Sequence, residues 1–134
     1  MTELQLRPVS NLEAASACQW SPKGEKITCL GSDGKSGGLF VIDLRRDAAR
    51  LLTSERIKNY QWLPDSSRIV YATNAENQAG SNFWTLDVNT GARQLLVDST
   101  IVTQRVGNLA VSPDGKKIAY EGEDGNLWVL FLGE

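Results

Sequence analysis

The phrase Trp20-Ser-Pro-Lys-Gly-Glu-Lys-Ile27 returns as Trp62-Leu-Pro-Asp-Ser-Ser-Arg-Ile69 and again as Val111-Ser-Pro-Asp-Gly-Lys-Lys-Ile118. A second phrase follows each copy: Leu39-Phe-Val-Ile-Asp-Leu44, Phe83-Trp-Thr-Leu-Asp-Val88 and Leu127-Trp-Val-Leu-Phe-Leu132. The second phrase recurs in two steps of 44 residues and the first in steps of 42 and 49, so the slack lies between phrases. A chain that uses one unit three times must bury the faces of that unit against its own copies. No other feature of the sequence restricts the fold as tightly.

A period of about 40 to 45 residues with strand-like content is the signature of propeller blades, and the apolar rhythm of about 3.6 residues that helical repeats would show is missing. The expected organisation is one domain over residues 1–134, with repeats at about 11–53, 54–97 and 98–134. At 41% hydrophobic the chain carries enough apolar material for a core. Fourteen basic and sixteen acidic residues leave a net charge of −2 with no long run of either sign. That balance argues against a general binder of nucleic acid or anionic membranes. No stretch approaches the roughly 18 apolar residues of a membrane span. The start Met-Thr-Glu-Leu-Gln lacks the basic and apolar regions of a signal peptide, so the sequence as written reads as cytoplasmic, or periplasmic if a leader was removed.

In the third repeat, residues 107–112 read as an innermost strand, Pro113-Asp-Gly-Lys116 as a turn, 117–121 as a second strand and 126–132 as a third. Proline has the backbone angle of the first turn corner already set, and Gly115 accepts the positive angle that follows. Residues 49–53 and 92–97 supply fourth, outer strands for the first two repeats, whereas the third has no counterpart before Glu134. The segment Leu4-Gln-Leu-Arg-Pro-Val9 has the same character and is expected to act as a closing outer strand.

The run from Val111 to Leu132, with looser copies such as Trp62 to Ala72, resembles the TolB-like (WD-repeat-like) β-propeller repeat, also found in propeller domains of prolyl-oligopeptidase-type peptidases. The resemblance implies an all-β fold with blades of four antiparallel strands, an innermost strand lining a central channel, and usually six or more blades. Three blades cannot close a ring, because each terminal blade leaves an apolar face in need of a neighbour. A homodimer joined by blade-to-blade contacts and N-terminal strand exchange would complete six blades and remove both raw faces. The alternative is an excised part of a longer propeller.

Without histidine, a Ser-His-Asp or Cys-His arrangement is impossible and the usual imidazole metal site is missing. No phosphate-loop pattern occurs. A non-enzymatic scaffold without cofactor or metal, binding a protein or peptide at the channel mouth or loop face, is therefore expected. The alternatives are a gating or docking fragment of a prolyl-oligopeptidase-type hydrolase, and a ligand-free propeller fragment made for blade assembly.

Individual residues refine this picture. Cys18 and Cys29 lie symmetrically about the first turn; two buried free thiols are the expectation, because directly paired strands hold side chains awkwardly for a disulfide. Asp33, Glu123 and Asp124 sit in glycine-containing turns with too few carboxylates for a calcium loop, and Asp43 and Asp87 should hold the turns after their strands. Trp20, Trp62, Trp84 and Trp128 recur with the phrases, so packing between blades explains them. Just before the innermost strands, Arg56 aligns with Arg105 and Asn59 with Asn108, while Lys58 stands beside the positions of Ser16 and Gly107. In a dimer these residues would present four arginines and two lysines around one channel mouth, suited to an acidic peptide or an anionic small molecule. Solvated loop charge is the alternative.

Overall fold

Alternating apolar and polar residues punctuated by turn residues produce eleven strands among the described residues. The computed structural model describes residues 4, 6, 8, 12–57, 59–76 and 79–132. The strands are β1 (Glu13–Trp20), β2 (Lys26–Ser32), β3 (Gly37–Asp43), β4 (Ala48–Thr53), β5 (Tyr60–Trp62), β6 (Arg68–Asn74), β7 (Ser81–Asp87), β8 (Arg93–Val97), β9 (Val106–Val111), β10 (Lys117–Gly122) and β11 (Leu127–Phe131). They form antiparallel meanders in the orders β1-β2-β3-β4, β5-β6-β7-β8 and β9-β10-β11, one sheet per repeat. The third sheet has three strands, as the sequence predicts. Of the expected closing strand, residues 5, 7 and 9 lie outside the described residues; Leu4, Leu6 and Pro8 are exposed and irregular. Among the described residues no helix is long and apolar enough to cross a membrane.

The repeated phrase makes the same hairpin each time. Its turn closes with Ser21 N–H to Lys26 O at 2.9 Å, Leu63 N–H to Arg68 O at 2.8 Å and Ser112 N–H to Lys117 O at 2.9 Å. The left-handed corner falls on Gly24, Ser66 and Gly115, with φ of 77°, 58° and 75°. Glycine accepts that angle without a Cβ clash, and Ser66 marks the loosest copy of the phrase. Asp114 adds side-chain bonds to the third turn: the Ser112 hydroxyl and the Lys116 amide donate to its carboxylate at 2.5 and 2.9 Å. These bonds hold the Asp114 carboxyl down to about 2. The other turn acids behave as expected. Asp33 accepts from the Lys35 and Ser36 amides, Asp43 from Arg45 and Asp87 from Asn89 and Thr90.

Strand alternation then decides which blade each side chain meets. In blade 2, Tyr60, Trp62, Ile69, Tyr71 and Leu86 pack with Leu39 and Val41 of blade 1. On the other face, Val70 and Phe83 pack with Leu109, Ile118 and Tyr120 of blade 3. The Phe83 and Tyr120 rings meet edge-to-face with centroids 5.6 Å apart. Hydrogen bonds stitch the first seam. The Tyr60 hydroxyl lies 2.6 Å from Ala17 O and 2.9 Å from Thr28 O, and the Trp62 indole N–H donates to Thr28 Oγ1 at 3.0 Å. Burial pushes the Tyr60 phenol up to about 12, so it remains a donor.

Two expectations are corrected. Cys18 and Cys29 are bonded to each other, not free, with Cα atoms 4.1 Å apart, and Cys18 is exposed. The physical reason is β1 itself. Register shifts flank Ser16, and Ala14 and Ala17 take positive φ of 53° and 51°, so a bulge directly before Cys18 re-aims its side chain toward Cys29. Trp62 is buried between blades and Trp84 packs against the same core, but Trp20, on the outward face of blade 1, is 57% exposed, and Trp128, which pairs with Tyr120 on the face toward blade 2, is 43% exposed beside the open edge of β11.

Replacing Tyr60 with Phe removes the one hydroxyl donor that Ala17 O and the buried Thr28 O share. Unfolding in urea should show a loss of about 1–3 kcal/mol, whereas Tyr120→Phe, whose hydroxyl donates to neither carbonyl, should cost less. Because the folded carboxyl of Asp114 titrates below its unfolded value of about 4, its stabilising contribution is complete above that value and is lost as pH falls toward 2. Asp114→Asn should therefore flatten the melting temperature's decline across that window.

Candidate functional site

Antiparallel meanders place the hairpin turns of the repeated phrase at one end of every blade and the connections between blades at the other. At this second end a cleft of about 480 Å³ opens between blades 2 and 3. Arg56 and Asn59 reach it from the connection before β5, Arg105 and Gly107 from the connection before β9 and its start, and Thr73, Asn74 and Ser81 from the hairpin of β6 and β7. Ile57 and Leu109, both buried, belong to its wall.

Two of the aligned residues thus converge: Arg56 and Arg105 line the same cleft, and both are exposed. Among the described residues neither guanidinium has an ion-pair partner, unlike Arg68, Arg93 and Lys117, which face Asp65, Glu55 and Asp114 at 2.9, 2.7 and 3.3 Å. Asn59 does more than line the cleft. Its side-chain amide donates to Gly107 O at 3.0 Å and clamps the inner strand of blade 3 to blade 2. Asn108 lies outside the cleft wall, its amide 3.5 Å from Glu121 Oε2. Lys58 lies outside the described residues.

Two of the surrounding polar groups are already committed. Thr73 Oγ1 accepts from the Trp84 indole at 3.0 Å and Ser81 Oγ donates to Gln104 O at 3.0 Å. Beyond Gln104, the Asn126 amide first, with Trp128 and Gln104, keeps the Asp124 carboxyl below its ordinary range, so that rim is anionic. Sequence reading missed Thr73, Asn74 and Ser81, which flank the hairpin loop where the three repeats differ most. It also missed a basic cluster at the opposite end of blade 1, where Lys26, Arg45, Arg46 and Arg50 surround a cleft of about 600 Å³. The adjacent pair Arg45-Arg46 was its one visible signal. Among the described residues no group of three or more acidic or cysteine side chains is placed to hold a metal.

The architecture is similar to that of TolB from Acinetobacter baumannii, with a TM-score of 0.68 and 15% identity over 90% of this chain and 30% of that one. The fold is that of a TolB-like β-propeller. Putative TolB from Agrobacterium tumefaciens gives a TM-score of 0.63 and 17% identity over 90% of this chain and 44% of that one. The β-propeller domain of the trilobed protease from Pyrococcus furiosus, described as having an open velcro topology, gives 0.61 and 19% over 88% and 38%. The chain therefore spans less than half the length of these propeller proteins. No protein-family model and no curated protein matches it by sequence.

The Asn59 clamp has a measurable consequence. Asn59→Ala should lower stability by about 0.5–1.5 kcal/mol, and amide exchange should quicken along β9 before it does along β2. Uniform exchange across the blades would show that the bond holds nothing.

Proposed function

We propose that this propeller unit is a non-enzymatic interaction module that binds an acidic peptide in the cleft between blades 2 and 3. The observation that carries the reading is the pair Arg56 and Arg105, two guanidinia without ion-pair partners among the described residues, flanking a concave site whose wall is partly apolar. Arginine suits carboxylate recognition because its planar fork bonds both oxygens, and an apolar wall accepts the aliphatic stems of glutamate. Binding needs no proton transfer or bond cleavage, so the lack of histidine costs this role nothing. The Cys18–Cys29 disulfide favours residence in an oxidising compartment over the cytoplasm.

The test is binding of a fluorescein-labelled hexaglutamate peptide. Exposed ion pairs contribute about 0.2–1 kcal/mol each, so Arg56→Ala/Arg105→Ala should weaken binding by roughly ten-fold, with a loss that shrinks as salt rises. Arg45→Ala/Arg46→Ala, at the other end of the blades, should leave it unchanged. Equal effects from both pairs would reduce the reading to general electrostatic attraction.

A further inference from the structure

A residue that recurs in every blade serves the blade, so positions that break the recurrence together call for another cause. At the turn end, four positions of blade 1 carry a cation where its sister blades carry an acid or a neutral side chain. In the turn of the repeated phrase, Lys23 replaces the acid that blades 2 and 3 have as Asp65 and Asp114. In the turn after the third strand, Arg45 and Arg46 stand where blade 2 has Asn89 and Thr90. On the outer strand, Arg50 pairs with Val41 at the register where blade 2 sets Gln94 beside Thr85. Glu25 for Ser67 and Asp47 for Gly91 are exchanges of the opposite sign, and neither of these acids lines the cleft between the cations.

The first exchange sets a further cation loose. In blades 2 and 3 the residue before the repeated isoleucine, Arg68 or Lys117, is neutralised by the turn acid at 2.9 or 3.3 Å. Lys26 holds that position in blade 1, and its ammonium donates instead to Asn89 Oδ1 of blade 2 at 2.6 Å. Arg50 likewise donates to a neutral acceptor across the seam, Val88 O. Both cations are thus fixed in place with their charge uncancelled by these partners. With Arg45 and Arg46 they surround the cleft of about 600 Å³ between blades 1 and 2, in whose wall Asp43 is the one carboxylate among the described residues. Asp43 accepts from the Arg45 amide, and its Oδ1 lies 3.9 Å from Arg45 Nε.

We infer that this cleft binds the diphosphate group of a soluble ligand. Guanidinia bond two phosphate oxygens at once, a lysine ammonium adds a point charge, and a concave setting focuses the field of both. A diphosphate brings more charge and more acceptor oxygens than a single phosphate, which suits four cations around one space. An acidic peptide fits less well, because among the described residues Val41 and Ala48 are the only apolar side chains in the wall and leave little surface for aliphatic stems. The same shortage of apolar surface favours a soluble diphosphate over a lipid headgroup at a membrane. The site lies in a seam internal to the chain, and it is independent of whether the cleft at the other end binds acidic peptides.

Isothermal titration of the intact chain with inorganic pyrophosphate should show saturable binding that weakens as salt rises. Arg45→Asn/Arg46→Thr should weaken it by roughly ten-fold, and Lys23→Asp should weaken it several-fold by giving Lys26 a carboxylate. Both variants carry residues that blade 2 already uses at the same positions, so circular dichroism should not change. Arg56→Ala/Arg105→Ala should leave pyrophosphate binding as it is, and pyrophosphate should not displace labelled hexaglutamate. Absence of binding at millimolar pyrophosphate would overturn the proposal, as would an equal loss from the two arginine double variants. Capture on vesicles of phosphatidylcholine and phosphatidic acid, without binding of free pyrophosphate, would overturn it in favour of a membrane surface.

Discussion

Every blade has two faces, and alternation along each strand sends successive side chains to different neighbours. In blade 2 this gives a sheet with no solvent face: Ile69 and Tyr71 belong to one seam and Val70 between them to the other. A shift of one residue in register would exchange the two sets. The turns protect against that slip, since the phrase closes each inner hairpin at the same place, pairing Trp20 with Ile27, Trp62 with Ile69 and Val111 with Ile118.

The seams are not equivalent, and their chemistry explains the candidate site. Between blades 1 and 2 the contact is tied at both ends. Tyr60 and Trp62 bond the backbone and Thr28 of blade 1, and at the turn end Lys26 donates to Asn89 Oδ1 at 2.6 Å and Arg50 to Val88 O; within blade 2, Glu55 accepts from Tyr71 and Arg93 at 2.6 and 2.7 Å. Arg93 lies over the Trp84 ring, 4.0 Å from its centroid, so this cation is paired twice. Burial, and then the Glu55 carboxylate, pushes the Tyr71 phenol up to about 12. Between blades 2 and 3 the hydrogen bonding at the same end reduces largely to Asn59 on Gly107 and Ser81 on Gln104, and the space left open is the cleft that Arg56 and Arg105 flank.

Much of this was legible in the residues. The strands, the missing fourth strand of the last blade and the turn acids follow from phrase, alternation and turn chemistry. Arg56 and Arg105, which stand at the same offset before an inner strand, line one cleft. The alignment of Asn59 with Asn108 did not carry a common role. A side chain that reaches across a seam depends on the blade beyond it, and blade 3 has none within the chain. The disulfide was hidden for a different reason: the bulge that turns Cys18 toward Cys29 sits on Ala17, whose left-handed backbone no propensity would suggest.

What the sequence determined alone was local and periodic. A repeated turn and period-two alternation need only neighbouring residues, so three similar sheets with two apolar faces follow from the chain itself. Which of those faces pack together, and which arginine finds a carboxylate among the described residues, were decided by tertiary structure. These depend on distances between blades, set by side chains far apart in the sequence, such as Trp62 on Thr28 and Phe83 on Tyr120.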